Sequence, residues 1–314
     1  VKAADLALYE AKHVGRNTFR VFLNQMSETS QRHADIENAL RQAISHNNFM
    51  LVYQPQVSLA KKRVIGFESL IRLDKVEPGG EVYSPAEFIP VAEESGLIHS
   101  VGDMVLHMAC KQLEYWAYYF EKNDLTLSVN LSAKQISASN FIEHLDRLLS
   151  LYSIEPKRMV FEITETAVLE HGTQTIESLL ALKQRGFLLS LDDFGTGYSS
   201  LSQLQQLPVD HIKIDRCFIK EMDNNPKNFA LVKAILSIAD TFALQVVAEG
   251  VENQKELSSL IGLACDSVQG YFYSKPVRAS EIEQTVDQIQ AQCVQVNITG
   301  EHNITRIKTR QKKA

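Results

Sequence analysis

A chain of 314 residues, 45% hydrophobic and 22% charged, has the make-up of a globular protein with a sizeable core, long enough for one barrel-sized domain or two smaller ones. Its net charge of −6 speaks against DNA or RNA polymers as partners, because binding a phosphate backbone normally needs a basic face. No apolar run approaches the roughly 18 residues that span a bilayer, and no charged-then-apolar leader opens the chain. Cys110, Cys217, Cys265 and Cys293 are far apart and lack metal-type spacing, which fits reduced thiols better than a disulfide framework.

In chain order, "FMLVYQPQVSL" (49–59) and "RVIGFESLIRL" (63–73) read as two strands joined by a Lys-rich turn, and so as an antiparallel pair. Six further strand-like runs follow: "LTLSVNLS" (125–132), "RMVFEIT" (158–164), "FLLSLDD" (187–193), "HIKID" (211–215), "LQVVAEG" (244–250) and "DSVQGY" (266–271). Between them, "NFIEHLDRLLSLYS" (140–153), "TIESLLALKQRG" (175–186) and "NFALVKAILSIADTF" (228–242) place apolar residues at helical spacing, and Gly186 is a natural helix stop. Eight strands alternating with helices predict an α/β fold, a modified (β/α)₈ barrel with one antiparallel strand at the start. A doubly wound open sheet is the structural alternative.

In such barrels the chemistry sits at the C-terminal ends of the strands. Those ends carry Glu68, Asn130, Glu162 with Glu165, Asp192 with Asp193, Lys213 with Asp215, Glu249 with Glu252, and Gln269. A single acid there is usually a cap or a solvated loop residue, but so many on one rim point to a site. Carboxylate and amide oxygens without His or Cys suit Mg²⁺ or Mn²⁺ rather than zinc. The nine histidines are scattered, and His211 opens its strand on the opposite rim. Adjacent acids such as Asp192 and Asp193 let one carboxylate be shared by two cations while its neighbour holds the second, and Gly195 and Gly197 allow a tight turn beside them. Two other readings are weaker: a Schiff-base Lys213 conflicts with the acids around it, and "FGTGYS" lacks the P-loop pattern.

The motifs "FESLIRL", "SVNLS", "FEITET", "LDDFGTGYSSL", "LPVDHIKIDR", "VVAEGVE" and "QGYFYSKP" resemble, in order and spacing, those of the EAL family of cyclic di-GMP phosphodiesterases, over about residues 35–292. The resemblance implies hydrolysis of one phosphodiester of cyclic di-GMP to linear pGpG with two Mg²⁺ or Mn²⁺ ions. It implies Glu68, Asn130, Glu162 and Asp192 for the first ion, and Asp192, Asp193 and Glu249 for the second. Lys213 would orient the attacking water, Glu249 would be metal ligand or general base, and Glu165 and Glu252 would support the site and the loop after Asp193. Gln54, Leu70, Arg72, Asp215 and Gln269 would meet the substrate, Arg72 at a phosphate. One departure is Glu68-Ser69-Leu70, with Ser69 where the family usually has alanine; strand alternation turns Ser69 toward the helical layer. A non-cleaving cyclic di-GMP receptor with a degenerate site is the alternative, and Ser69 alone favours it.

The ends suggest context. Residues 4–22, "ADLALYEAKHVGRNTFRVF", resemble the close of a GGDEF domain, giving expected divisions of 1–22 for that remnant, 23–34 for a polar linker, 35–292 for the EAL domain and 293–314 for a polar, basic tail. The first residue, Val1, is not Met, which suggests a longer parent protein. The resemblance further implies a homodimer through the face near the loop after Asp193, upstream GGDEF or sensor domains, a cytoplasmic location for this segment, and any membrane anchor in the upstream regions.

Overall fold

The alternation read from the sequence becomes a ring of strands in the computed structural model, which describes residues 4, 8, 19, 21–74, 83–119, 124–197 and 201–296. The chain begins with α1 (Asn24–His46), β1 (Phe49–Ser58), β2 (Arg63–Leu73), α2 (Pro85–Glu94) and α3 (Ile98–Tyr119). It continues through β3 (Thr126–Asn130), α4 (Ala133–Ile136), α5 (Phe141–Tyr152), β4 (Met159–Thr164), α6 (Glu165–Gln184), β5 (Leu188–Phe194) and α7 (Leu201–Leu204). The last part comprises β6 (His211–Ile214), α8 (Arg216–Ile219), α9 (Pro226–Thr241), β7 (Gln245–Ala248), α10 (Gln254–Gly262), β8 (Ser267–Gln269), β9 (Val277–Arg278) and α11 (Ile282–Val296).

Strands β2 to β8 run parallel, each hydrogen-bonded to the next, and β1 lies antiparallel to β8. A further β1–β2 pairing closes the ring, so the fold is the expected eight-stranded barrel and not an open sheet. The short link explains the reversed strand. Lys62, at φ 53°, donates its N–H to the Ser58 carbonyl at 2.8 Å, and a turn this tight can only join antiparallel strands. Strand β9, not foreseen from the sequence, adds two residues to the edge of β1 through Val52↔Arg278 and Tyr53↔Val277.

Two compact units divide the chain, Val1–Met50 with Ile71–Met104 and Leu51–Leu70 with Val105–Ala314. In the first, α1 buries Ile36, Leu40 and Ala43, a one-face spacing, and packs on α2, which buries Phe88, Val91 and Ala92. Arg32 pairs with Glu87 at 2.5 Å and His33 with Glu94 at 2.8 Å. Within the expected linker of 23–34, residues 24–34 form the opening turns of α1. The helix forms because Ile36, Leu40 and Ala43 bury its later face, and the polar residues before them extend it through the pairs to α2.

In the second unit, alternation sends Phe67 and Phe161 outward to the helices and Glu68 and Glu162 inward. Phe67 meets Trp116 at 5.5 Å between centroids, and Phe161 meets Phe187 at 5.0 Å; all four are fully buried. Each such side chain contributes about 1.5–3 kcal/mol through burial, so the shell behind the acids is rigid. Helix α6 starts ten residues before the expected 175, capped by Thr164, whose Oγ1 accepts from the Ala167 N–H at 3.3 Å. It ends at Gln184, and Gly186, the expected stop, follows two residues later at φ 89°. Helix α11 runs four residues into the expected tail, because Cys293 is buried. The GGDEF-like stretch, apart from a few residues, and the tail beyond Val296 lie outside the described residues. Among the described residues, no helix is long and apolar enough to cross a membrane.

Candidate active site

Barrel register brings the strand-end residues together. Asn130 on β3 is the ladder partner of Glu162 on β4, and Thr164 at the end of β4 is the partner of Asp192 on β5. At the centre is Lys213 on β6, a buried ammonium whose Nζ lies 2.6 Å from Glu162 Oε2, 2.6 Å from Glu249 Oε1, 3.2 Å from Asp192 Oδ1 and 3.6 Å from Glu68 Oε2. A Lys with one carboxylate would be an ordinary ion pair. One with four marks a concentration of negative charge that a single ammonium cannot balance.

The proton affinities follow from this crowding. Burial alone would lower the Lys213 ammonium, but Glu162, Glu249, Glu68 and Asp192 hold it well above its ordinary value, so it stays charged. Burial pushes the Glu162 carboxyl well up, and repulsion from Glu68, Asp192 and Glu249 adds to that despite Lys213. Burial also drives Glu249 up to about 8, with Lys213 opposing and Asp192 and Glu68 reinforcing. Glu68 goes the other way: burial would raise it, but Lys213 and the donors Asn130 and Gln269 bring it below the ordinary carboxyl value.

Glu68 is held by amides on both oxygens. Asn130 Nδ2 donates to Oε1 at 2.8 Å and Gln269 Nε2 to Oε2 at 2.5 Å. Gln269 Nε2 also donates to Gln54 Oε1 at 3.1 Å, while Gln56 Nε2 donates to Gln269 Oε1 at 3.1 Å. Gln54 and Gln269 thus belong to an amide network that reaches Glu68, and Gln56, which was not foreseen, stands behind Gln269 in it. The signal for Gln56 was its place two residues from Gln54, on the same face of β1.

The end of β5 is irregular. The β5–β6 register shifts between Leu191 and Phe194, and inside that bulge Asp193 takes φ 54°, a left-handed conformation that Asp tolerates better than most residues. The bulge lets two consecutive acids leave the strand together. Burial, then Asp192 and Asp215, raise the Asp193 carboxyl. Glu165 stands beside the following loop: its Oε2 accepts from the Gly195 N–H at 3.3 Å, and a Cβ on Gly197 would come within 2.7 Å of its Oε1.

The other expected residues have varied surroundings. Asp215 caps α8, accepting from the Cys217 N–H at 2.9 Å. Leu70 is half-buried on β2, on the same face as Glu68 by alternation. Arg72, in the first unit, donates through Nη1 to the Ile71 carbonyl at 2.8 Å. Glu252 is exposed, and the buried carboxylate that organises its loop is Glu256. Glu256 accepts from the N–H groups of Glu252 (2.9 Å), Asn253 (3.3 Å) and Glu221 (3.2 Å). Its place at the third helical position after Asn253 is a capping-box signature that the sequence already carried. Ser69 faces away from Glu68, as alternation requires, and its hydroxyl donates to the Ser128 carbonyl at 2.7 Å.

As a donor set, Glu68, Asn130, Glu162, Asp192, Asp193 and Glu249 supply only hard oxygens, with more carboxylates than Lys213 balances, which fits Mg²⁺ or Mn²⁺.

Residues 37–276 match the model of the EAL domain. The signaling protein YkoW of Bacillus subtilis is 36% identical over 286 residues, 91% of this chain and 35% of that protein. The bifunctional diguanylate cyclase/cyclic di-GMP phosphodiesterase MucR of Pseudomonas aeruginosa is 36% identical over 283 residues, 90% of this chain and 41% of that protein. The chain thus spans well under half the length of these relatives. A solved structure of the PaMucR phosphodiesterase in complex with c-di-GMP superposes with a TM-score of 0.74 at 35% identity, covering 79% of this chain and 99% of that one. With three quarters of its length matched, its acids at the barrel's strand ends and its neighbours of the same fold, the chain belongs to the EAL-domain family.

Proposed function

We propose that this chain is a divalent-metal-dependent phosphodiesterase that hydrolyses one phosphodiester bond of cyclic di-GMP to linear pGpG. The observation that carries the reading is the buried ring of Glu68, Glu162, Asp192 and Glu249 around Lys213, in a family whose member PaMucR is a phosphodiesterase solved with c-di-GMP. In this reading Glu68, Asn130, Glu162 and Asp192 would hold one Mg²⁺ or Mn²⁺ ion, and Asp192, Asp193 and Glu249 would hold a second. Such ions, when bound, activate water near neutral pH and neutralise charge developing on the phosphate.

The chain's own residues do the rest. Lys213 donates to the attacking water oxygen and orients it toward phosphorus, as one of the oriented donors that matter most when charge builds up. Glu249, beside the Lys213 ammonium, serves as a ligand or takes the water's proton. The new P–O bond forms as the ester P–O bond breaks, and a proton ends on the leaving oxygen. Gln54, Leu70, Asp215 and Gln269 meet the substrate, with Arg72 a planar donor for the phosphate that does not react. Glu165 keeps the loop after Asp193 in place. The receptor alternative rested on Ser69, whose hydroxyl is committed to the Ser128 carbonyl, and no observation favours it.

The wider context belongs to the same reading: a homodimer through the face near the loop after Asp193, a GGDEF or sensor domain upstream of a linker and this domain, and a cytoplasmic setting. A monomer at micromolar concentration with full activity in equilibrium sedimentation would count against the dimer. The first test is chromatography of cyclic di-GMP incubated with the protein and Mg²⁺, Mn²⁺ or excess EDTA. Metal-dependent pGpG that disappears in Glu68→Ala is expected; binding without cleavage under any metal would overturn the reading.

A further inference from the structure

We propose that Gln56 is a positioning residue that fixes the side-chain amide of Gln269 in the one orientation able to hold Glu68 for metal binding. The inference rests on the metal-site reading above and adds to it a residue outside the expected site.

The reasoning starts from hydrogen-bond polarity. A carboxylate only accepts, so the Gln269 atom 2.5 Å from Glu68 Oε2 must be the amide nitrogen. Its other hydrogen goes to Gln54 Oε1 at 3.1 Å, which spends both donors of the NH₂ group. Gln269 Oε1 then faces the opposite side, where the group at 3.1 Å is Gln56 Nε2, a donor. Every atom type in this chain of amides follows from the charge on Glu68, without separate assignment.

Gln56 and Gln269 are direct Cα partners in the antiparallel β1–β8 pairing, 213 residues apart in sequence, and all three glutamines are buried. Water is therefore a poor substitute for a missing partner. Without the Gln56 donor, the Gln269 carbonyl oxygen is left buried with no donor among the described residues, a penalty that rotation or flipping of the amide would relieve. Flipping would set a carbonyl oxygen against the Glu68 carboxylate, repelling it from the geometry in which Asn130 steadies its other oxygen at 2.8 Å. Buried partners that orient a ligand commonly change metal affinity by roughly 10–100-fold.

The experiment uses the full chain and Mn²⁺ alone, with free Mn²⁺ read by electron paramagnetic resonance and fold by the denaturant midpoint. In Gln56→Met, which keeps size but removes the donor, Mn²⁺ binding should weaken about tenfold. The half-saturating metal for cleavage should rise equally, with the rate at saturating metal unchanged. A general structural role would instead lower the midpoint and the saturated rate together. Gln56→Glu at pH 8.5 is the second variant: added negative charge alone would tighten Mn²⁺ binding, whereas loss of the donor weakens it.

Unchanged or tighter Mn²⁺ binding in the folded variants would overturn the proposal, as would a wild-type protein that binds no Mn²⁺. Mn²⁺ binding that weakens in the variants while the wild type cleaves no cyclic di-GMP would sink the phosphodiesterase reading and leave the Gln56 role standing.

Discussion

Lys213 shows how one residue sets the character of a site. Its ammonium lies within 3.6 Å of four carboxylates, and removing it leaves those acids buried together without a counter-charge. Replacing one partner of a buried ion pair typically costs about 3–5 kcal/mol. Lys213→Met should therefore lower the unfolding free energy of the metal-free protein by that order in urea titrations. Turnover should fall by about 100-fold or more, the usual effect of losing an oriented donor. A variant as stable as the parent would mean that the acids carry protons in place of the ion pairs. The lysine was visible in the sequence as a strand-end residue among acids; its four partners were not, because Glu68, Glu162, Asp192 and Glu249 arrive from four other strands.

At the scale of elements, the loops after β7 and β8 depend on close backbone approach. A Cβ on Gly270 would sit 2.1 Å from the Val251 carbonyl oxygen and 2.4 Å from its nitrogen. Those Val251 groups are bonded to Phe272 N–H at 2.9 Å and to the Gln269 carbonyl at 3.2 Å. Backbone cannot rotate aside as a flexible side chain can, so Gly270→Ala should destabilise the protein by about 1–3 kcal/mol or more. It should also raise the half-saturating metal in activity assays, since Gln269 adjoins the strained bond. In the first unit, the α1–α2 contact carries a pH signature. Hydrogen bonds from Arg32 and from Ser84 hold the exposed Glu87 carboxyl down at about 2, from an ordinary 4.5. A depressed carboxyl stabilises the fold above the unfolded value and loses that contribution as pH falls toward the folded one. Arg32→Met should be less stable than the parent at pH 6, and the gap in thermal midpoint should close between about pH 4.5 and 2. A gap independent of pH would assign the difference to packing, including the stacking of Arg32 on Tyr83 at 5.3 Å.

Over the whole molecule, the surplus of buried carboxylates makes stability responsive to cations. A ligand that binds only the folded state adds RT ln(1 + [L]/Kd), about 2.7 kcal/mol at one hundred times Kd. Mg²⁺ or Mn²⁺ should thus raise the thermal midpoint of the parent, EDTA should reverse the rise, and Glu68→Ala should blunt it; equal shifts with NaCl of matched ionic strength would remove the specific-site explanation. The sequence by itself determined the order of strands and helices, because apolar alternation and helical spacing are local properties that each segment displays alone, and a four-residue link between β1 and β2 allows only an antiparallel pair; closure into a barrel was decided by the β1–β2 pairing. It also determined that Glu68 and Ser69 face opposite ways, since a strand's period of two alternates the faces of neighbouring residues. Tertiary structure alone decided that Gln56 meets Gln269 and that Asp192 and Asp193 leave β5 through a bulge. These are matters of register and burial between segments far apart in the chain, where the energy lies in pairing across space and no local pattern records it.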